Sequence, residues 1–246
     1  IQAPMIGGYS GPEMVAIVSN LGGLGSLAVG NLSAEHIEQQ CNQTSQLTTC
    51  PFAANLFSSP RNSIPQLDRY ASEIKVLLPY CAMLGIERSI LEQQTFVQLP
   101  DLNEQVEVLL QSKVEIVTFT FGLPSEDIIQ KLKRAGKKIL ATATTVEEAR
   151  LVEKKGFDAV ILQGIEAGGH RASFLSEGNT GPVSSQLVKQ AKSLLTIPII
   201  VTGGIMNGQQ ISQHLKNGAD ACQLGTAYLF TDEAKLEKNY LDMLLH

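Results

Sequence analysis

Eight short apolar runs recur along the chain, and most are followed by a stretch whose apolar residues fall at helical spacing. The runs are 1–6, 25–29, 52–57, 114–121, 138–143, 159–163, 197–201 and 221–224. They are largely continuous rather than alternating, which marks strands buried on both faces, as in a parallel sheet covered by helices. Eight β–α repeats in 246 residues predict a closed (β/α)8 TIM barrel, an α/β fold that takes about 250 residues. The alternative is an open doubly wound sheet, but no GxGxxG follows the first run. Gly22-Gly-Leu-Gly25 comes after a helix instead. One domain over 1–246 is therefore expected, with a surface excursion near 79–100, where periodicity is weak.

Punctuation between the runs fits this reading. Pro12 suits the first turn of a helix that Gly22-Gly23 ends. Ser33, Thr144-Thr145 and Asn207 stand where helix caps are needed, and Gly218 follows a helix end. Further helices are expected over 64–78 and 231–245.

Composition excludes several classes of function. Nineteen basic and 24 acidic residues give a formal charge of −5, with no Lys/Arg block to attract nucleic acid or an anionic membrane. No apolar run reaches the roughly 18 residues of a membrane span. Cys41, Cys50, Cys81 and Cys222 form no CxxC and match no zinc spacing, so they read as small apolar side chains in a reducing compartment. Tryptophan is absent and aromatics are 5%, too few for a base-stacking platform. The chain opens at Ile1 with no visible signal peptide, and a cytoplasmic location is expected.

In such a barrel, chemistry sits at the C-terminal ends of the strands. Those ends are Met5 to Gly8, Asn55, Thr120 to Gly122, Ala141 to Thr144, Gln163 to His170, Thr202 to Gly204 and Gln223 to Thr226. The rim is neutral and polar, with one His and one Glu. His170 closes a loop containing Gly164, Gly168 and Gly169, and is the candidate base. Glu166 is either a chemical partner or a residue that shapes the loop. His36, His214 and His246 are expected at the surface. Gly203-Gly204 and Gly225-Thr226 offer backbone N–H groups where many barrels hold phosphate. Asn55, Gln163 and Gln223 could read the edge of a flat heterocycle. Together these favour flavin mononucleotide (FMN) over a sugar phosphate, with other phosphorylated ligands open. One His and one Glu are too few for a metal site.

The motifs Ala3-Pro-Met5, Ala54-Asn-Leu56, Phe119-Thr-Phe-Gly122, Ala141-Thr-Ala-Thr-Thr145, Gln163-Gly-Ile-Glu-Ala-Gly-Gly-His-Arg171, Gly203-Gly-Ile205 and Gln223-Leu-Gly-Thr226 resemble, in order, those of nitronate monooxygenases, once called 2-nitropropane dioxygenases. The resemblance implies an FMN-dependent oxidoreductase that oxidises alkyl nitronates with O2 to a carbonyl compound and nitrite. It implies cofactor contacts at Asn55, Gln163, Gly168, Gly203, Gly204, Gln223, Leu224, Gly225 and Thr226. It makes His170 the base that deprotonates neutral nitroalkanes, leaves Glu166 a loop-shaping residue, and implies no metal. Family members continue past the eighth strand into a small helical region, which is expected to be shortened or missing here. Ala172 stands where a Gly often follows the Arg. Flavin-dependent enoyl-ACP reductases share the Ala-Gly-Gly-His loop but differ after it, where this chain reads Arg171-Ala-Ser-Phe174. They and quinone reductases using NAD(P)H are the alternative, with an inactive flavin-binding paralogue a further one.

Overall fold

A computed structural model describes residues 1–58, 71–92, 99–175 and 180–245. The elements are α1 (Pro12–Asn20), β1 (Ser26–Ala28), α2 (Ala34–Leu47), β2 (Ala53–Phe57), α3 (Ala71–Leu84), α4 (Arg88–Glu92), α5 (Leu102–Gln111), β3 (Ile116–Thr120), α6 (Glu126–Arg134), β4 (Lys138–Ala143), α7 (Val146–Lys154), β5 (Ala159–Gln163), α8 (Ser184–Lys192), β6 (Ile199–Thr202), α9 (Gly208–Lys216), β7 (Ala221–Gln223), α10 (Thr226–Leu229) and α11 (Lys238–Leu245). Contacts divide the chain into Ile1–Ser59 with Pro100–His246, and Pro60–Leu99.

The smaller unit holds α3 and α4. The helix expected over 64–78 is seen from Ala71 and continues through Pro79 to Leu84, so regular structure extends into the expected excursion. Residues 64–70 and 93–98 lie outside the described residues.

In the larger unit, seven parallel strands pair in sequence order from β1 to β7. The first expected strand, 1–6, is reduced to a single parallel bridge between Gln2 and Leu224. Ala3 N–H donates to Leu224 O (2.8 Å) and Leu224 N–H to Ile1 O (3.0 Å). On the other side, Gln2 N–H donates to Leu24 O (2.9 Å) and Ser26 N–H to Gln2 Oε1 (2.9 Å). The segment Ile1–Ala3 thus joins both edges of the sheet. Pro4 has no N–H to extend the ladder, and Gly7 and Gly8 turn the chain at φ 96° and 91°.

Period-two alternation sorts the strand residues. Val117, Phe119, Ile139, Ala141, Val160, Leu162, Ile199 and Val201 face the helices and form the main core with Leu109, Ile129, Val152 and Leu187. The other parity faces inward. Leu140, Ala159, Ile161 and Ile200 make an apolar plug with Ile1, Ile116 and Ala221. Further along the same strands the inward positions become Asn55, Thr118, Thr142, Gln163, Thr202 and Gln223, all buried.

The helices begin as their caps predict. Ser33 accepts from His36 N–H, Thr145 from Glu148 N–H and Asn207 from Gln210 N–H. The long helix expected over 231–245 is instead interrupted. A 3-10 turn at Asp232–Ala234 ends at Lys235, whose left-handed backbone (φ 52°) separates it from α11.

Candidate active site

A cavity of about 540 Å³ opens at the C-terminal ends of the strands, a size within the usual range for small-molecule sites. Its floor is the polar inward layer, including Asn55, Thr118, Thr142, Gln163, Thr202 and Gln223. Its rim carries apolar and aromatic side chains, among them Met5, Ile6, Tyr9, Phe57, Phe121, Leu229, Tyr240 and Leu244. Tyr9 and Tyr240 meet with ring centroids 6.3 Å apart. All ten residues singled out from the sequence, Asn55, Gln163, Gly168, His170, Gly203, Gly204, Gln223, Leu224, Gly225 and Thr226, border this one cavity.

Several of these groups are already engaged by the protein. Asn55 Nδ2 donates to Thr118 Oγ1 (2.8 Å) and Thr120 Oγ1 (2.9 Å), which fixes the amide across two strands. Gln163 braces the loop that follows it. Its Nε2 donates to His170 O (3.0 Å), and Ala172 N–H donates to its Oε1 (3.0 Å). This pair of bonds ties the backbone on either side of Arg171 to the end of β5.

Arg171 turns inward and caps carbonyls. Nη1 donates to Gln163 O (2.9 Å) and Gly164 O (3.0 Å), and Nη2 to Thr144 O and Thr180 O (both 3.3 Å). Burial lowers the guanidinium's pKa, while Glu148 and Glu166 oppose the shift. The planar fork of Nη1 and Nη2 donors suits this task, which a point-charged Lys could not perform.

Glu166 shapes the loop, as expected. The N-cap of α8 is Val183, which has no side-chain cap. Glu166 supplies one from the glycine loop, accepting from Ser184 N–H at Oε1 (2.9 Å) and Oε2 (3.1 Å) and from the Ser184 hydroxyl. A carboxylate at a helix N-terminus also meets the positive end of its dipole. A Cβ on Gly164 would collide with Glu166 Oε2 and Ser184 N, so only glycine permits this approach. Gly203 and Gly204 have φ of 120° and 63°, and a Cβ on either would crowd the 164–167 segment. These glycines let the β6 turn lie against the loop.

Two neighbours of the site receive no individual role from sequence reasoning, although Phe121 falls within the Phe119-Thr-Phe-Gly122 motif. Glu148 is fully buried and accepts four bonds, from Thr144 N–H (2.6 Å), Thr144 Oγ1 (2.8 Å), Phe174 N–H (2.7 Å) and Leu175 N–H (2.9 Å). Its signal was legible, since Thr145 and Glu148 have capping-box spacing. The second is Phe121. A bulky side chain in the left-handed region costs on the order of 1–2 kcal/mol, yet Phe121 sits there at φ 66°. Its ring meets Phe57 at 5.0 Å and His170 at 5.8 Å.

His214 corrects an expectation. It is 8% exposed, not at the surface, with Nε2 3.5 Å from Ser184 Oγ and Nδ1 without a hydrogen-bond partner among the described residues. The polar pair of Ser184 and Glu166 lies beneath α9 at this point and accommodates an imidazole. His36 is exposed as expected, and His246 lies outside the described residues. Burial lowers the His214 pKa below 6.5, and Glu166 opposes the shift. Folding therefore favours the neutral ring. That stabilisation is complete above the unfolded value of 6.5 and is lost as pH falls through the lower folded value. Between about pH 7 and 5, the melting temperature of the parent should drop more steeply than that of His214→Gln. Parallel slopes in thermal melts would remove His214 from this account.

Among the described residues no group of three or more His, Cys, Asp or Glu could hold a metal ion, and no helix is long and apolar enough to cross a membrane.

The family model described as nitronate monooxygenase matches residues 1–243. A probable nitronate monooxygenase of Bacillus subtilis (strain 168) is 38% identical over 235 residues, covering 95% of this chain and 66% of that protein. One from Staphylococcus aureus (strain JH9) is 36% identical over 253 residues, covering 100% of this chain and 68% of that one. Among solved structures, nitroalkane oxidase from Streptomyces ansochromogenes superposes with a TM-score of 0.88 at 37% identity, over 100% of this chain and 70% of its own. FabK from Thermotoga maritima gives 0.73 at 26% identity, over 98% and 62%. The chain thus spans about two thirds of the length of these proteins. Matched from end to end in sequence and laid out on the same barrel, it belongs to the nitronate monooxygenase family.

Proposed function

We propose that this chain binds FMN in the cavity and oxidises alkyl nitronates with O2 to a carbonyl compound and nitrite. The observation that carries the reading is His170 at the edge of a cavity whose floor is neutral, polar and pre-organised. The donor set suits FMN. Gln223 offers an amide to a flat heterocycle, Asn55 and Gln163 border the same space with amides held in place by Thr118, Thr120, His170 and Ala172, and the turns at Gly203-Gly204 and Gly225-Thr226 present backbone to a phosphate. A Cβ at Gly169 would meet nothing within 4 Å, and one at Gly168 only Thr226 Oγ1 at 3.4 Å, so this side of the cavity is open to a ligand. Glu166, a carboxylate bordering the cavity, is held at the N-terminus of α8 by Ser184.

Bound FMN supplies the electron transfer from substrate and to oxygen. The residues of the chain do the rest. Met5, Ile6 and Leu229 offer apolar contact to an alkyl group. His170 takes the α-proton of a neutral nitroalkane onto a ring nitrogen, leaving the carbon's electron pair in the nitronate. A substrate that arrives as nitronate needs no such step.

The purified chain should take up FMN, turn yellow and consume O2 with a nitronate, releasing nitrite, without oxidising NADH. NADH oxidation with a crotonyl thioester or a quinone would replace this reading by a reductase. A chain that stays colourless after FMN is added would remove every flavin reading.

A further inference from the structure

We propose that Phe121 is the positioning residue for the His170 imidazole, a role that rests on the reading of His170 as the base. The glycine loop does not orient that ring by itself. Gly168 and Gly169 precede His170, and Gly169 turns at φ 76° with open space where a side chain would be. Gln163 holds the His170 carbonyl, not its ring. Among the described residues the imidazole makes no hydrogen bond, and its ring contact is with Phe121, at a centroid distance of 5.8 Å and an interplanar angle of 74°.

Phe121 is in turn held from behind. β3 ends at Thr120, and the next residue adopts a left-handed conformation that aromatic side chains rarely take. That turn brings the Phe121 ring to the cavity rim, where Phe57 meets it edge-on at 5.0 Å and 61°. The Phe57 ring fills space that exists because residue 30 is glycine; a Cβ there would lie 2.6 Å from Phe57 Cδ1. A chain of contacts therefore runs from the end of β1 through Phe57 and Phe121 to the base. Edge-to-face geometry is what ring quadrupoles favour, so the contact sets a preferred plane for the imidazole. Backbone strain of this kind persists where surrounding packing over-determines it, and such sites cluster at functional positions.

The test uses the FMN-loaded protein and separates two substrates. Phe121→Leu keeps apolar bulk and removes the aromatic edge. It should lower kcat/KM for a neutral nitroalkane by roughly 10- to 100-fold, the loss expected from a misplaced catalytic group, and lower that for the nitronate far less. Phe121→Tyr, which keeps the ring, should restore most of the loss. In a His170→Asn background Phe121→Leu should cost nitroalkane turnover nothing further. A second readout needs no turnover. The His170 ring-proton resonances, assigned by their loss in His170→Asn, should move in Phe121→Leu as the ring current is removed, and return in Phe121→Tyr. If Phe121→Leu does not fold, Phe57→Leu removes the support behind the ring and carries the same two readouts. Equal losses on both substrates, or unmoved resonances, with His170→Asn still selective for nitroalkanes, would overturn the positioning role and leave the base intact. If His170→Asn itself shows no selectivity, the base falls, and the proposal falls with it.

Discussion

His170→Asn should lower turnover of neutral nitroalkanes by roughly 10²- to 10⁴-fold, the usual contribution of a positioned base. Turnover of the matching nitronates should stay within the same order of magnitude. The asymmetry follows from where the proton sits. A nitroalkane must lose its α-proton before it can be oxidised, whereas a nitronate has lost it already. Asn keeps a polar group near the position of the imidazole Nδ1 and cannot take up the proton. The backbone role of residue 170 survives, because it is the main-chain oxygen that accepts from Gln163. The loop should therefore hold its shape, and the change should isolate the ring. Steady-state oxygen uptake on both substrates makes the comparison. Equal losses on the two would mean that residue 170 shapes the cavity or supports the cofactor, not that it moves a proton.

Glu148→Ala should produce the largest loss of stability. One buried carboxylate there satisfies four donors, three of them backbone N–H groups. Hydrogen bonds to a charged acceptor are worth about 1.5–3 kcal/mol each, and water entering the gap recovers part of that, so a net cost of about 3–5 kcal/mol is expected. For a domain of this size that is roughly a 10 °C fall in melting temperature. Glu148→Gln keeps the shape but turns an amide NH2 toward other donors, so it should fall between Ala and the parent. The damage should also reach the site. Phe174 lies three residues beyond Arg171 and is followed by Leu175, and Glu148 is what ties both to the start of α7. A Glu148→Ala protein melting within about 2 °C of the parent would show that this anchor is dispensable.

The residues that carry the barrel were legible because their signals are local. β5 reads as an uninterrupted apolar run ending in Gln163, and the loop beyond it as glycine, acid and His. Caps at Ser33, Thr145 and Asn207 act within their own first turn. What escaped depends on contacts distant in sequence. Nothing near Ile1–Ile6 says that only Gln2 will meet both sheet edges. Nothing on α9 says that His214 will be buried while Leu215, beside it, stays 45% exposed; Ser184 and Glu166, arriving from another loop, decide that. Glu148 could be read as a helix cap, but its grip on residues 174 and 175, 26 and 27 positions away, could not. The left-handed turn at Phe121 is likewise set by its surroundings, since propensity alone opposes it.

The alternation along the strands has a consequence for how such a chain can change. Phe119 and Leu162 look outward to the helices, while their neighbours Thr118 and Gln163 look into the cavity. Neighbours in sequence therefore answer to different demands. Exchanges among Thr118, Thr142 and Thr202 can retune what the cavity accepts without disturbing the helical layer, and effects at sites with no shared partners tend to add. A lineage, or an engineer, can vary the recognised molecule by substituting alternate positions and leave the scaffold's stability largely untouched. The exception is the β5 loop, where Gln163 and Glu166 border the ligand space and also hold backbone. There, innovation and integrity are coupled.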